Sequence, residues 1–319
     1  MTVTVYDVAI IGAGPAGLAA ASELVAAGAR VVILDEQQRP GGQITRQPPK
    51  GFRVTAWLKG GLYDDLKSLL GRMEDNPDID WRFSATVSGM SRTDEGLFRV
   101  WCQAQTGLQA IEARRVLVAT GAYERPLVFP GATVPGIMGA GAIQTLLKSQ
   151  QVLAGDTFVF AGVHPLQMVV AEQVLAAGGR VEAVLFAQPF SRCFSVLKYP
   201  DLPFSHWRTF LAGLKAYRAL RKAGVPVRFG VAVSEVTGRE KIDGIQVASV
   251  TPEGDKGPSG QMSFSADCLG LCYGFQVSSE LARQVGADHY WDGDAGGWLV
   301  SADPWGESSV AGLFVAGEI

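Results

Sequence analysis

The sequence predicts an α/β protein built from two doubly wound, parallel-sheet units. Three observations predict it. A strand–glycine loop–helix–strand pattern opens the chain, an ungapped echo of that pattern follows 150 positions later, and the length of 319 residues accommodates about two domains of roughly 150 residues each. Hydrophobic residues make up 47% of the chain and charged residues 18%, enough apolar material for sizeable cores and too little charge for a disordered chain. The 28 basic and 31 acidic residues leave a net charge of -3 with no Lys/Arg block, which argues against a nucleic-acid or anionic-membrane partner. Four scattered cysteines (Cys102, Cys193, Cys268 and Cys272) form no secreted disulfide framework and no metal-ligand spacing, so no metal is expected and a cytoplasmic location is. Val8 to Ser22 is uncharged, but Gly12, Gly14, Pro15 and Gly17 interrupt it and no basic segment precedes it. It is therefore neither a signal peptide nor a transmembrane segment.

Residues 5–11 (VYDVAII) read as a short buried strand, GAGPAG at 12–17 as the turn into an Ala-rich helix ended by Gly28, and VVIL at 31–34 as a second strand closed by Asp35 and Glu36. This is a complete dinucleotide fingerprint in context. Gly12 makes the tight turn, Gly14 lets backbone approach a pyrophosphate, and Gly17 lets the helix pack closely on the strand. The helix N-terminus offers unpaired N–H groups to phosphate oxygens. Asp35, 18 positions after Gly17, can accept hydrogen bonds from a ribose diol.

The echo runs from 162 to 186. Gly12 matches Gly162, Pro15 matches Pro165, and Arg30-Val31 matches Arg180-Val181. Gly14, however, becomes His164, Gly17 becomes Gln167, and Asp35 becomes Leu185. Three separate requirements for a dinucleotide are missing at once. The fold of this unit is expected to persist, and NAD(P) binding there is doubtful. His164 reads as a spacer capping its helix, with a catalytic base as the alternative.

Between and after the two units, QQRPGGQITR at 37–46 forms an irregular stretch just past the second strand, at the edge where ligands of parallel sheets lie. Leu62, Leu66, Leu69, Leu70 and Met73 recur at helical spacing and read as core, as do Trp207, Phe210, Leu211, Leu214, Tyr217 and Leu220. Residues 79–119 alternate short β-prone runs and read as an antiparallel layer plus a final strand ending at Ala119-Thr120-Gly121. From 225 to 269 the reading is mostly β. His206 and His289 read as exposed histidines without partners. In SSVAGLFVAGEI at 308–319, an apolar strand at 313–316 leads into Gly317-Glu318. That acid can hold a ribityl hydroxyl; the alternative is an ordinary strand followed by a turn.

Taken together, GAGPAG, GGQI, ATG and LFVAGE stand in an order that resembles the flavoproteins with two Rossmann-like FAD/NAD(P)-binding domains, similar to glutathione and thioredoxin reductases. DEQQRPGGQITR, ATGAYERPLVFPG and LCYGFQVSSELARQVG carry a closer resemblance to the FAD subunits of amine and imino-acid dehydrogenases, such as those of opine oxidase, hydrogen cyanide synthase, proline and hydroxyproline dehydrogenase and sarcosine oxidase α. The resemblance implies a second domain inserted in the first: residues 1–130 as the first part of an FAD domain, 131–270 as a degenerate NAD-type domain, and 271–319 as a second, truncated part of the FAD domain, since the helix expected after the last strand is missing. It implies FAD pyrophosphate at Gly12, Gly14 and Gly17, adenosine ribose at Asp35, and Glu318 at the ribitol. The resemblance also implies that Gly42, Gln43 and Thr120 lie near the cofactor and that the neighbouring Pro15, Ala16, Glu36, Gly121 and Gly317 complete the cofactor-binding set.

The expected function is that of an FAD-dependent oxidoreductase, the flavin subunit of an amine or imino-acid dehydrogenase that works with a second catalytic or electron-transfer subunit. Gln43 and Arg46 are the flavin-proximal candidates; the alternative is that they only order the GGQ loop. No catalytic base is named. Cys268 and Cys272, three residues apart on an apolar strand, read as packing cysteines rather than a redox pair. Two other functions compete: an NAD(P)H-dependent flavin reductase feeding a partner, and a non-catalytic nucleotide-binding scaffold.

Overall fold

A computed structural model describes residues 4–52, 54, 63–191, 207–251, 257, 262–293 and 295–319. The chain divides into two compact units, Met1–Tyr123 with Phe275–Ile319, and Glu124–Gly274.

In the first unit, β1 (Val5–Ile11) runs into α1 (Pro15–Ala26), and β2 (Val31–Asp35) follows. Pro15 at the first helical position has the φ a helix needs and no N–H to lose there. α2 (Asp64–Met73) and β3 (Ile79–Phe83) come next, then β4 (Thr86–Arg92), β5 (Phe98–Ala104) and β6 (Gly107–Val118). The sheet order is β3-β2-β1-β6-β5-β4. β1 lies parallel to both β2 and β6, with Ile11 opposite Leu34 and Val118. The expected antiparallel layer is only partly correct. β4, β5 and β6 form an antiparallel meander, but β3 pairs parallel with β2, because α2 carries the chain back to the sheet edge in the same direction.

Strand alternation splits the core of this unit between the two faces of the sheet. Ala9, Ile11, Val32 and Leu34 pack on one side, and Val8, Ile10, Val31 and Ile33 on the other. Burial on both faces is why these strands read as unbroken apolar runs. Leu70 and Met73 of α2 join the second face, with Leu66 and Leu69 half-buried; Leu62 lies outside the described residues.

β7 (Ala122–Glu124) leads into the second unit. There β8 (Ile137–Gly139), α3 (Ala140–Thr145, continued as a π-helical turn at Leu146–Gln150), β9 (Thr157–Gly162), α4 (Leu166–Ala176), β10 (Arg180–Phe186) and α5 (Trp207–Lys222) precede β11 (Val227–Phe229). β12 (Val231–Gly238), β13 (Ile242–Ser249) and β14 (Met262–Phe264) form an antiparallel sheet. β15 (Cys268–Cys272) completes a five-stranded parallel sheet of order β11-β10-β9-β15-β8.

The α5 stripe corrects part of a second expectation. Leu220 is fully buried as expected and Leu214 is half-buried, but Phe210 is 58% and Trp207 53% exposed, Leu211 and Tyr217 are exposed as well, and Ala216, outside the stripe, is buried. At about 100° per residue, positions 216 and 220 lie half a turn from 207 and 211. The stripe drifts around the helix, and only its C-terminal end at Leu220 reaches the face that packs, beside Ala216.

The chain returns to the first unit through β16 (Phe275–Val277), α6 (Glu280–Gln284), and the β17 (His289–Asp292)–β18 (Gly297–Val300) hairpin. β19 (Leu313–Val315) then lies parallel to the end of β6, Leu313 opposite Val116. His289 is not without partners: its ring nitrogens lie 2.7 Å from the Ala287 carbonyl and 3.3 Å from that of Ser279, and His206 is outside the described residues. No helix among the described residues is long and apolar enough to cross a membrane.

Candidate functional site

The C-terminal edge of the first unit's parallel strands gathers five segments far apart in sequence: the 12–17 loop, Asp35-Glu36, the 40–46 loop, Ala119–Gly121 and Gly317-Glu318. Backbone contacts hold them together. Ala119 N–H donates to Ile11, Ala316 N–H to Val118, and Gly41 N–H to Ala13 at 2.8 Å.

Each glycine of the fingerprint has a different neighbour. A Cβ on Gly12 would lie 2.3 Å from the Ala119 carbonyl oxygen, and Gly12 has φ +106°, so both space and backbone demand glycine. A Cβ on Gly17 would lie 2.0 Å from the Gly12 carbonyl oxygen, the cost of seating α1 against β1. Gly14 differs: within 4 Å its Cβ would meet only the Gly42 Cα, at 3.9 Å. Its φ of -74° and ψ of 179° suit any residue. No atom of the described residues therefore explains why position 14 lacks a side chain, and among them the space its Cβ would take is open to a ligand at the α1 N-terminus.

Asp35 ends β2 with its carboxylate held by two backbone donors, Ala13 N–H at 2.6 Å and Gln37 N–H at 2.7 Å, one on each oxygen. Burial pushes this carboxyl above the usual range, and those two donors pull in the opposite direction. Each oxygen retains a lone pair for a further donor, as a ribose diol would supply. Glu36 is exposed beside it and accepts from Gln37 Nε2 at 3.0 Å.

The 40–46 loop folds over the fingerprint. A Cβ on Gly42 would come 2.8 Å from the Gly14 Cα, and buried Thr45 donates its hydroxyl proton to the Gly41 carbonyl at 2.8 Å. Gln43 is exposed, and its Oε1 accepts from Arg46 Nη2 at 3.0 Å, while Arg46 Nη1 donates to Gln37 Oε1. Thr120 donates its hydroxyl proton to the Ser278 carbonyl at 2.6 Å, tying the end of β6 to the returning chain, and Gly121 beside it has φ +71°. Gly317, with φ +87°, abuts Ala16 (3.1 Å for an added Cβ), and Glu318 is exposed at the end of β19. The edge thus gathers the segments that carry the residues expected to hold the cofactor. Gln37, which no periodicity marks, is the member that sequence reasoning missed.

The second unit's counterpart is filled by its own side chains. Gly162 is still required, since its Cβ would lie 2.0 Å from the Cys272 carbonyl oxygen. His164 Nδ1 accepts the Leu166 N–H at 3.2 Å, capping α4, and Gln188 Nε2 donates to the Val163 carbonyl at 2.8 Å. Gln167 and Leu185 are both fully buried. The amide of Gln167 has no hydrogen-bond partner among the described residues.

Glu124, in the GAYERP run, is the anchor of α3. It accepts the Gly141 N–H at 2.8 Å, and a Cβ on Gly139 would strike its carboxylate at 2.0 Å. Cys268 and Cys272 are buried on β15, where burial pushes both thiols up to about 12. Among the described residues, no group of His, Cys, Asp or Glu side chains could hold a metal ion.

Comparison with known proteins agrees with this geometry. The chain is 34% identical to an opine oxidase subunit of Rhizobium meliloti over 98% of its own length and 58% of the relative's. It is 34% identical to hydrogen cyanide synthase subunit HcnB of Pseudomonas aeruginosa over 97% of its length and 65% of the relative's. It therefore spans about three fifths of the length of these curated relatives. The thioredoxin reductase of T. acidophilum superposes on 98% of the chain and 90% of its own with a TM-score of 0.68 at 17% identity, a likeness of fold. The description of one family matches residues 6–319: with its glycine fingerprint, its acid-closed second strand and its returning C-terminal strand, this chain belongs to the pyridine nucleotide-disulphide oxidoreductase family.

Proposed function

We propose that this chain is the FAD-binding flavin subunit of an oxidoreductase that oxidises an amine or imino acid at its C–N bond. In this reading it works with a second subunit, passing electrons to an acceptor other than NAD. The observation that carries the reading is Gly14: backbone of ordinary conformation, bare of a side chain, facing open space at a helix N-terminus. The residues fit FAD. Gly12, Gly14, Pro15, Ala16 and Gly17 would bind the pyrophosphate, Asp35 and Glu36 the adenosine ribose, and Gly317-Glu318 the ribitol, with Gly42, Gln43, Thr120 and Gly121 around the rest. When bound, FAD supplies the two-electron acceptor for hydride removal next to nitrogen. The chain's own part is to hold and orient it. Asp35 does so with a carboxylate already fixed by Ala13 and Gln37, so little order is lost on binding.

The substrate class rests on the names of the relatives, subunits of an opine oxidase and of a hydrogen cyanide synthase. An acceptor other than NAD is supported by His164, Gln167 and Leu185 in the second unit. The buried free thiols of Cys102, Cys268 and Cys272 suit a reducing compartment, and we place the protein in the cytoplasm. Anaerobic titration of the purified flavoprotein with opines, proline, glycine and sarcosine tests the reading. Bleaching of the flavin by one of these, and not by NADH or NADPH, is expected. Bleaching by a pyridine nucleotide alone would replace the reading with that of a flavin reductase, and a protein that takes up no FAD would favour a scaffold.

A further inference from the structure

Five polar residues of the DEQQRPGGQITR stretch form one continuous chain of hydrogen bonds. Glu36 Oε1 accepts from Gln37 Nε2 at 3.0 Å, and Gln37 Oε1 accepts from Arg46 Nη1. Arg46 Nη2 in turn donates to Gln43 Oε1 at 3.0 Å. The backbone N–H of Gln37 also donates to Asp35, which fastens this end of the chain to the close of β2. The chemistry of Glu36 and Arg46 leaves no freedom in the direction of the bonds. A guanidinium has only donors and a carboxylate only acceptors, so both glutamines must turn their oxygens toward Arg46. Gln37 then has its NH2 for Glu36, and Gln43 is left with its NH2 directed away from the guanidinium.

We propose that Arg46 is a positioning residue that locks the Gln43 amide with its two N–H donors presented to the cofactor. This rests on the reading of the site as an FAD site. Gln43 is exposed and follows Gly42, whose Cβ would come 2.8 Å from the Gly14 Cα at the open end of α1, so the loop that carries this amide borders the space assigned to the ligand. A glutamine without such a partner turns either face outward, and its oxygen would repel a ring that gains negative charge on reduction. Arg46 fixes the favourable face and adds the polarisation of its own charge through the shared bond. Gln37 and Glu36 hold the far side of the guanidinium, so the orienting signal originates at the end of β2.

The test has two arms, each applied to wild type, Gln43→Ala, Arg46→Ala and the double variant, with Arg39→Ala as control. Arg39 also pins this loop, through Glu74 and the Pro48 carbonyl, but does not touch Gln43. The first arm needs no flavin. In 15N-labelled, flavin-free protein, the Gln43 side-chain amide signals, identified by their loss in Gln43→Ala, should move to those of a free glutamine in Arg46→Ala and stay in place in Arg39→Ala. The second arm reads the midpoint potential of the bound flavin. Gln43→Ala and Arg46→Ala should each weaken binding of reduced relative to oxidised flavin about tenfold, the scale of one charge-assisted hydrogen bond. That corresponds to about 30 mV for a two-electron couple. The double variant should show no further loss, because Arg46 acts through Gln43.

Unmoved amide signals in Arg46→Ala, or additive losses in the double variant, overturn the proposal. A protein in which the amide signals move as expected but no FAD binds would instead refute the cofactor reading and leave the orienting role of Arg46 standing.

Discussion

Replacing Gly14 by alanine separates the demands of the fold from those of the ligand. In the protein without ligand the new methyl meets only the Gly42 Cα at 3.9 Å, an ordinary van der Waals contact. Gly14 is the N-cap of α1, where glycine is preferred to alanine, at a cost on the order of 1 kcal/mol. Removing a glycine also restricts the unfolded chain and returns about 0.4–1 kcal/mol. The two nearly cancel, so the melting temperature of flavin-free Gly14→Ala should lie within about 3 °C of wild type. FAD affinity behaves differently. A methyl forced between backbone and pyrophosphate costs about 1–3 kcal/mol as an overpacking defect, and about 2 kcal/mol is roughly a 30-fold loss. Gly17→Ala is the contrast: its methyl would sit 2.0 Å from the Gly12 carbonyl oxygen and 3.2 Å from Ile10 Cγ2, so it should lower stability itself by at least about 2 kcal/mol. Differential scanning fluorimetry of the flavin-free proteins, paired with FAD titration by fluorescence quenching, reads both quantities. If Gly14→Ala bound FAD with wild-type affinity, the pyrophosphate would not lie at Gly14 and the site assignment would fail.

Other perturbations address the second unit and the thiols. With both thiols pushed up to about 12, Cys268 and Cys272 should resist maleimide labelling of the native protein at pH 8, and alanine at either position should leave flavin reduction unchanged; fast labelling would mean that β15 is not buried. Under anaerobic conditions NADH and NADPH should bleach bound flavin no faster than buffer does, because His164, Gln167 and Leu185 occupy the positions a dinucleotide needs; bleaching within seconds would show that the unit binds one. Burial holds the Glu124 carboxyl above the 4.5 of an ordinary glutamate. The native state therefore binds this proton more tightly than the unfolded chain does, and the resulting stability is complete below 4.5 and lost as pH rises through the native value. Glu124→Gln should flatten that decline in thermal unfolding curves, and equal slopes for the two proteins would refute it.

The first unit was legible wherever one local rule governed the outcome. The unbroken apolar runs of β1 and β2, the glycines at 12 and 17 and the closing acid Asp35 each follow from covalent geometry and strand alternation, which a short window contains. The ATGAYERPLVFPG run carried a family resemblance but assigned Glu124 no structural part. Glu124 and the Gly139-x-Gly141 pair that admits its carboxylate lie 15 residues apart, with β8 between them. The Gly139-x-Gly141 spacing at the start of a helix was the signal that could have revealed a side chain docked there.

Apolar composition, strand and helix periodicity, and the two fingerprints with their differences are written in the order of residues, because backbone sterics and side-chain alternation act over a few positions. Which face of α5 is buried, which way Ile79–Phe83 runs beside β2, and which partner Arg46 takes depend on what other segments bring up against them. The stripe of Trp207, Phe210, Leu211, Leu214, Tyr217 and Leu220 has a good helical period, yet only Leu220 of it is fully buried, on the face where Ala216 also packs. Gln37, Gln43 and Arg46 share no period at all. They meet because Gly41 and Gly42 turn the loop back over the 12–17 segment, and donor-only and acceptor-only groups can then select one another across space.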